Sequence, residues 1–207
     1  MVISFPAMSP RHFVAACAFA LAACKPAEPR HGVALSPALP RPAFTLTDTR
    51  GAAFDFRKET AGQLTFLFFG YTNCPDVCPV HVANVAAVLH TLPYEDQRRA
   101  RFVFVTLDPV RDSAVAVRKW LDHFDPTFVG LRGDTLDLNN ILAGIGMPPA
   151  IRGTPDAKGA YEVAHSAAVV VYTADDSAHV MYPFGTRQSD WAEDIPRLLA
   201  VRPRGGK

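Results

Sequence analysis

The sequence predicts an α/β domain, and three observations carry that prediction. Residues 64–69 and 102–107 are runs of Phe, Leu and Val, each broken only by a threonine, as strands buried on both faces require. Three later or intervening stretches repeat apolar side chains at helical spacing: Val82, Val85, Ala86 and Leu89; Val117, Trp120, Leu121 and Phe124; Leu138, Ile141, Leu142 and Ile145. Strand and helix signals thus alternate, the pattern of a central sheet with helices packed on it.

The remaining elements can be placed in chain order. Alternation in residues 44–47, a turn over 48–51 and a second short alternating stretch over 53–56 predict an N-terminal β-hairpin. The first helix is placed over 79–92. Residues 128–131, 167–172 and 179–182 have strand composition, and Asp175-Asp176 joins the last two as a hairpin. Residues 189–201 are helical in pattern, with Trp191, Ile195, Leu198 and Leu199 inward and Pro196 expected to bend or shorten the helix. Parallel strands and hairpins together make the sheet mixed.

Before residue 43 the chain reads differently. After Arg11 and His12, residues 13–23 form an apolar run about half as long as a bilayer-spanning helix needs, which reads as a signal peptide over residues 1–23. It ends in Leu21-Ala22-Ala23-Cys24, which resembles the lipobox of bacterial lipoproteins and makes Cys24 the expected lipidation site. Residues 24–42 hold Pro26, Pro29, Pro37, Pro40 and Pro42 without an apolar period, and are expected to form an extended tether ahead of a domain over 43–203. These features place the domain at the periplasmic face of a bacterial membrane.

Charge and cysteine usage narrow the function. Lys and Arg total 21 against 20 Asp and Glu, and residues 1–23 hold one Arg and no acid, so the remainder is formally neutral. Such a chain has no basic excess with which to hold nucleic acid. Of the four cysteines, Cys17 and Cys24 belong to the leader and its end, leaving Cys74 and Cys78 as thiols. One pair four residues apart is a site rather than a scaffold, because a bridge across so short a loop constrains the unfolded chain little.

The pair stands where the first central strand meets its helix, in Phe69-Gly70-Tyr71-Thr72-Asn73-Cys74-Pro75-Asp76-Val77-Cys78-Pro79. Sulfurs four residues apart share one face of an opening helical turn, and a helix N-terminus favours the thiolate. Three chemistries are open. Thiol-disulfide exchange is feasible, although a third intervening residue departs from the usual two. Zinc would need four ligands, and only His81 lies near enough in sequence to be a third. Two thiolates with one imidazole form the low-coordinate soft site that suits Cu(I), and this chemistry is favoured.

The same segment resembles the signature of the Sco/SenC proteins, and the resemblance continues in Asp108-Pro109-Val110-Arg111-Asp112 and Val163-Ala164-His165-Ser166. It covers most of residues 40–200. It implies a thioredoxin-like fold that binds copper through Cys74, Cys78 and His165 and serves the dinuclear copper centre of cytochrome c oxidase. Asn73 stands where many members have His, and Ala164 where many have Asp, so a carboxylate that could orient His165 is missing. Thioredoxin-like oxidoreductases generally place a cis-proline opposite the dithiol. Here no proline lies between Pro155 and Pro183, and His165 takes that place.

The expected function is therefore a copper metallochaperone carrying Cu(I), with Cu(II) left open and an accessory thiol-disulfide reductase role through the same two sulfurs also open. Its expected partners are the copper-bearing subunit of cytochrome c oxidase or another periplasmic copper chaperone. The alternative is a metal-independent thiol-disulfide oxidoreductase or thiol peroxidase using the same sulfurs. Asp108, ending a central strand, is a candidate to tune the site; Asp112 or Ser113 is expected to cap the following helix. Met147 and Met181 read as core, and His31, His90 and His123 as solvated. The Pro- and Gly-rich loop 147–161 is either a partner contact or a connection.

Overall fold

The computed structural model describes residues 29–203. Within them an eight-stranded mixed sheet has the order β1-β10-β9-β4-β5-β6-β2-β3. Its strands are β1 (Val33–Pro40), β2 (Thr45–Asp48), β3 (Ala53–Asp55), β4 (Leu64–Gly70), β5 (Ala100–Thr106), β6 (Val129–Arg132), β9 (Val169–Tyr172) and β10 (Ser177–Tyr182). A separate ribbon pairs β7 (Ile151–Arg152) with β8 (Val163–Ala164). The helices are α1 (Phe56–Glu59), α2 (Val77–Thr91), α3 (Tyr94–Gln97), α4 (Ala114–Asp122), α5 (Thr135–Gly144) and α6 (Gln188–Leu199).

The two apolar runs form the centre. β4 and β5 pair in parallel from Leu64 opposite Ala100 to Gly70 opposite Thr106, and β6 continues the parallel set beside β5. Because side chains alternate across a strand, the run splits between two cores. Phe66, Phe68, Phe102 and Phe104 meet α2, α4 and α6 through Val82, Val85, Val117, Leu121, Trp191 and Ile195. Leu67, Phe69, Val103 and Val105 meet α5 through Leu138 and Leu142 on the other face. The predicted N-terminal hairpin is β2–β3, and Asp176, in the turn of the β9–β10 hairpin, takes a left-handed φ of 65°. Pro196 lies within α6 without ending it.

The tether expectation needs correcting. Residues 33–40 are β1, an edge strand antiparallel to β10, so the domain starts well before residue 43. An edge strand bonds on one side only, which lets Pro37 and Pro40 sit in it despite their missing donors. The next residue, Arg41, is tightly held and 1% exposed. Its guanidinium donates to Asp176, the Thr60 and Thr65 hydroxyls, and the carbonyls of Gln63 and Thr173. Ahead of β1, the backbone N–H groups of Arg30 and His31 donate to Asp194 of α6 at 2.7 and 2.8 Å. Asp194 is itself buried and also accepts from Tyr182 Oη. The signal segment over 1–23 and Cys24 lie outside the described residues. Among the described residues, no helix is long and apolar enough to cross a membrane.

Candidate metal site

β4 ends at Gly70, and residues 71–76 turn the chain into α2. The helix begins at Val77, with Asp76 as an N-cap whose side chain makes no capping bond. Cys78 is thus its second residue, while Cys74 precedes the helix instead of sharing its first turn. Proline is the reason: Pro75 steers the residue before it away from helical backbone angles. The sulfurs nevertheless come together, since the Cys78 N–H donates to Cys74 Sγ at 3.4 Å. Both are free thiols, Cys78 buried and Cys74 partly exposed. A side chain at Gly70 would place its Cβ 2.9 Å from Cys78 Sγ, so glycine is what lets the inner sulfur lie against the strand.

Burial pushes the Cys78 thiol well above its ordinary range; a backbone hydrogen bond from Tyr71 opposes the shift, and Cys74 and Asp112 add to it. The expected helix-end preference for thiolate is therefore outweighed at this residue by desolvation.

Asp112 does not cap α4; Ser113 does, its side chain accepting from the Ala116 N–H. Fully buried, Asp112 instead accepts from the Thr72 N–H at 2.9 Å and from the Thr72 and Thr106 hydroxyls at 2.5 Å each. It pins the cysteine loop to the end of β5. Sequence reasoning missed this role, although a threonine just after the first central strand, a threonine ending the second and an acid six residues further on were the available signal.

His165 follows β8 rather than opening β9. Its Nδ1 lies 2.7 Å from the Val163 carbonyl, which can only accept, so Nδ1 carries the proton and Nε2 the lone pair. Nε2 is shielded from solvent and has no partner among the described residues. Burial lowers the ring's pKa, which keeps it neutral. Tyr71 stands next to both parts of the site. Its ring meets His165 edge-on at 5.7 Å, and its hydroxyl pKa is raised by burial, with both cysteines adding to the shift. Still, among the described residues no three of His, Cys, Asp and Glu are grouped to hold a metal ion; Tyr71 is the side chain that links His165 to the cysteine loop.

The other candidates resolve cleanly. Asp108 is buried at the carboxyl end of the central strands, where its carboxylate accepts from Tyr161 Oη at 2.8 Å and pairs with Arg111. The Tyr161 ring lies between Arg111 at 3.5 Å and Arg152 at 4.1 Å, so loop 147–161 is latched to the β5–α4 loop. Met147 packs in the core and Met181 against it. His31 and His90 approach Glu193 and Asp125, respectively.

His81, the nearest histidine in sequence, is 3% exposed and packed among Phe68, Phe184 and Trp191. Burial pushes its pKa down to about 4. Between that value and the ~6.5 of an unfolded histidine, the unfolded chain binds a proton the folded one refuses. Stability is thus full above about pH 6.5 and declines as pH falls toward 4. Denaturant unfolding should show a loss of about 2 kcal/mol between pH 7 and pH 5 from this residue. His81→Leu should flatten the slope by that amount; an unchanged slope would acquit His81.

The fold and the paired sulfurs define a thioredoxin-like domain whose cysteines lie at the carboxyl end of a central strand, with a shielded histidine packed against Tyr71 of the same loop. The chain belongs to the SCO1/SenC family, whose model matches residues 34–200. It is similar to the mitochondrial SCO2 homolog of Mus musculus, 32% identical over 162 residues, which cover 76% of this chain and 62% of that protein. It is also similar to the structure of Bradyrhizobium japonicum ScoI with copper bound, at 30% identity and TM-score 0.68, covering 78% of this chain and 100% of that one. A more distant structure, BsSco, shares the fold at 17% identity and TM-score 0.62 over 80% of this chain and 96% of its own; it is described as a member of the Sco family of cytochrome c oxidase assembly proteins. The chain spans about half to just under two thirds of the length of the first curated relatives it matches.

Proposed function

We propose that this chain carries copper, taking it up between Cys74, Cys78 and His165 and passing it to the copper-bearing subunit of cytochrome c oxidase. The observation that carries this reading is the shielded, unpartnered Nε2 of His165, whose ring packs edge-on against Tyr71 of the cysteine loop. A buried polar atom left without a partner is costly, and a lone pair fixed by a committed Nδ1–H is how a metal-binding imidazole is oriented. Two thiolates and one imidazole match the preference of Cu(I) and make too open a set for structural zinc.

Uptake has two requirements. The protons of both thiols must leave for solvent as the sulfurs engage, and the segment after β8 must bring His165 to the sulfurs. Low coordination then allows release by stepwise exchange with the acceptor's own ligands. A lipid on Cys24 would hold this machinery at the periplasmic face of the membrane.

The test is anaerobic Cu(I) titration of the reduced soluble chain beginning at Lys25. One tightly held equivalent per chain is expected; absence of uptake sinks the proposal. Thiol-disulfide exchange without metal uses the same sulfurs but has no use for the orphaned imidazole nitrogen.

A further inference from the structure

Strand pairing places the chain's entry and the cysteines at one end of the sheet. β4, β5 and β6 run parallel, and their carboxyl ends lead into the cysteine loop, the 107–113 loop and α5. β9 is antiparallel to β4, with Val169 opposite Phe68, so it starts at this end. β10 returns to it, with Tyr182 opposite Val169, and β1 begins there, with Val33 opposite Met181. The Asp194 carboxylate that clamps the Arg30 and His31 N–H groups fixes where the strap leaves the domain. Five residues separate Cys24 from Arg30. Six Cα steps reach about 20 Å at full extension.

Exposed apolar side chains show the same polarity. Among the described residues, eight large ones are exposed. Val33, Val110 and Phe184 flank strand ends on the cysteine side, and Val80, Val115 and Leu136 lie in the opening turns of α2, α4 and α5, which start there. Ile151 is on strand β7 of the ribbon, opposite Ala164, the residue before His165. Only Tyr94 lies at the far end, between α2 and β5. Val110 is 72% and Val115 77% exposed, an arrangement without benefit to folding.

We propose that the cysteine-bearing end is the membrane-facing end of the domain, with this apolar collar resting on the lipid surface that receives the Cys24 anchor. The inference rests on the proposed lipidation of Cys24. One acyl chain alone binds a bilayer only reversibly, so apolar contacts made by the domain itself would add to the hold of a lipidated Cys24 as well as orient the domain. The inverted arrangement would ask a strap of about 20 Å to run the length of the sheet, whose seven-residue central strands alone measure about 23 Å. The copper ligands would thereby face acceptors embedded in or lying on the same membrane.

The test uses the full acylated chain, its Cys24 modification confirmed by mass, on phosphatidylethanolamine–phosphatidylglycerol vesicles. A photoreactive benzoylphenylalanine replaces Val110, Phe184 or Tyr94 in turn, none of them a proposed ligand. Lipid adducts at Val110 and Phe184 should exceed those at Tyr94 several-fold. Equal yields, or an excess at Tyr94, overturn the proposal. Adducts to protein alone in native membranes, with none to lipid in vesicles, overturn it in favour of a protein-docking collar. A flexible Gly-Ser insertion between Lys25 and Pro26 should bring the three yields together without altering Cu(I) uptake; an unchanged pattern overturns the role of the short strap. An unmodified Cys24 overturns both orientation and anchoring. Failed copper uptake beside the expected adduct pattern removes the cargo and leaves the orientation standing.

Discussion

Cys78→Ser is expected to abolish tight Cu(I) uptake, a larger loss than the roughly 10- to 100-fold seen when only the groups supporting a ligand are changed. The substitution removes little volume but replaces a polarizable sulfur with a hard oxygen, which Cu(I) disfavours. The new hydroxyl would lie buried beside Gly70, so the lost affinity reflects chemistry rather than access. Cys74→Ser should behave alike, while His165→Ala should lose tight binding yet keep exchange with small disulfides. Titration with a competing Cu(I) chelator, alongside near-ultraviolet circular dichroism to show an intact fold, reads all three. Retention of a tight equivalent by Cys78→Ser would overturn the ligand assignment.

Asp112→Ala is expected to destabilise the domain by roughly 3–5 kcal/mol, because it strands buried donors that a carboxylate had satisfied. The Thr72 N–H and the Thr72 and Thr106 hydroxyls lose their common acceptor. The damage should reach the sulfurs, since Thr72 is two residues from Cys74 and its loop would no longer be tied to β5. Copper affinity should fall by about 10- to 100-fold even where the variant is fully folded. Denaturant unfolding gives the first quantity and chelator competition the second. Thr106→Val removes one bond of the set and should cost clearly less; equal losses would mean that the carboxylate's other bonds contribute little.

The central architecture was legible because residues 64–69 and 102–107 carry almost no polar side chains, a pattern that only doubly covered strands tolerate. β1 was not legible. Five prolines between residues 25 and 42 argue locally for a detached strap, and docking of the last part depends on partners distant in sequence. Arg41 shows the difficulty most sharply: a charged residue between prolines looks exposed, and the groups that bury it come from residues 60–65 and 173–176. At the site, the sulfur pair stood out by type and spacing, and His165 by the resemblance of its motif to the family's and by its place where related folds set a cis-proline. Asp112 did not, since an acid just before a helix is more often its cap, and only the folded loop shows that Ser113 has taken that task. Tyr71 lies inside the cysteine motif, yet an aromatic ring next to a strand end gives no sign from sequence of bridging two distant segments.

The unequal shielding of the two sulfurs gives the site a direction. Cys74 lies at the threshold and Cys78 behind it, pressed on the strand at Gly70. On the proposed copper-carrying reading, a partner taking the metal would meet the outer sulfur before the inner one. The order of the two departures would then follow from the backbone rather than from the visitor.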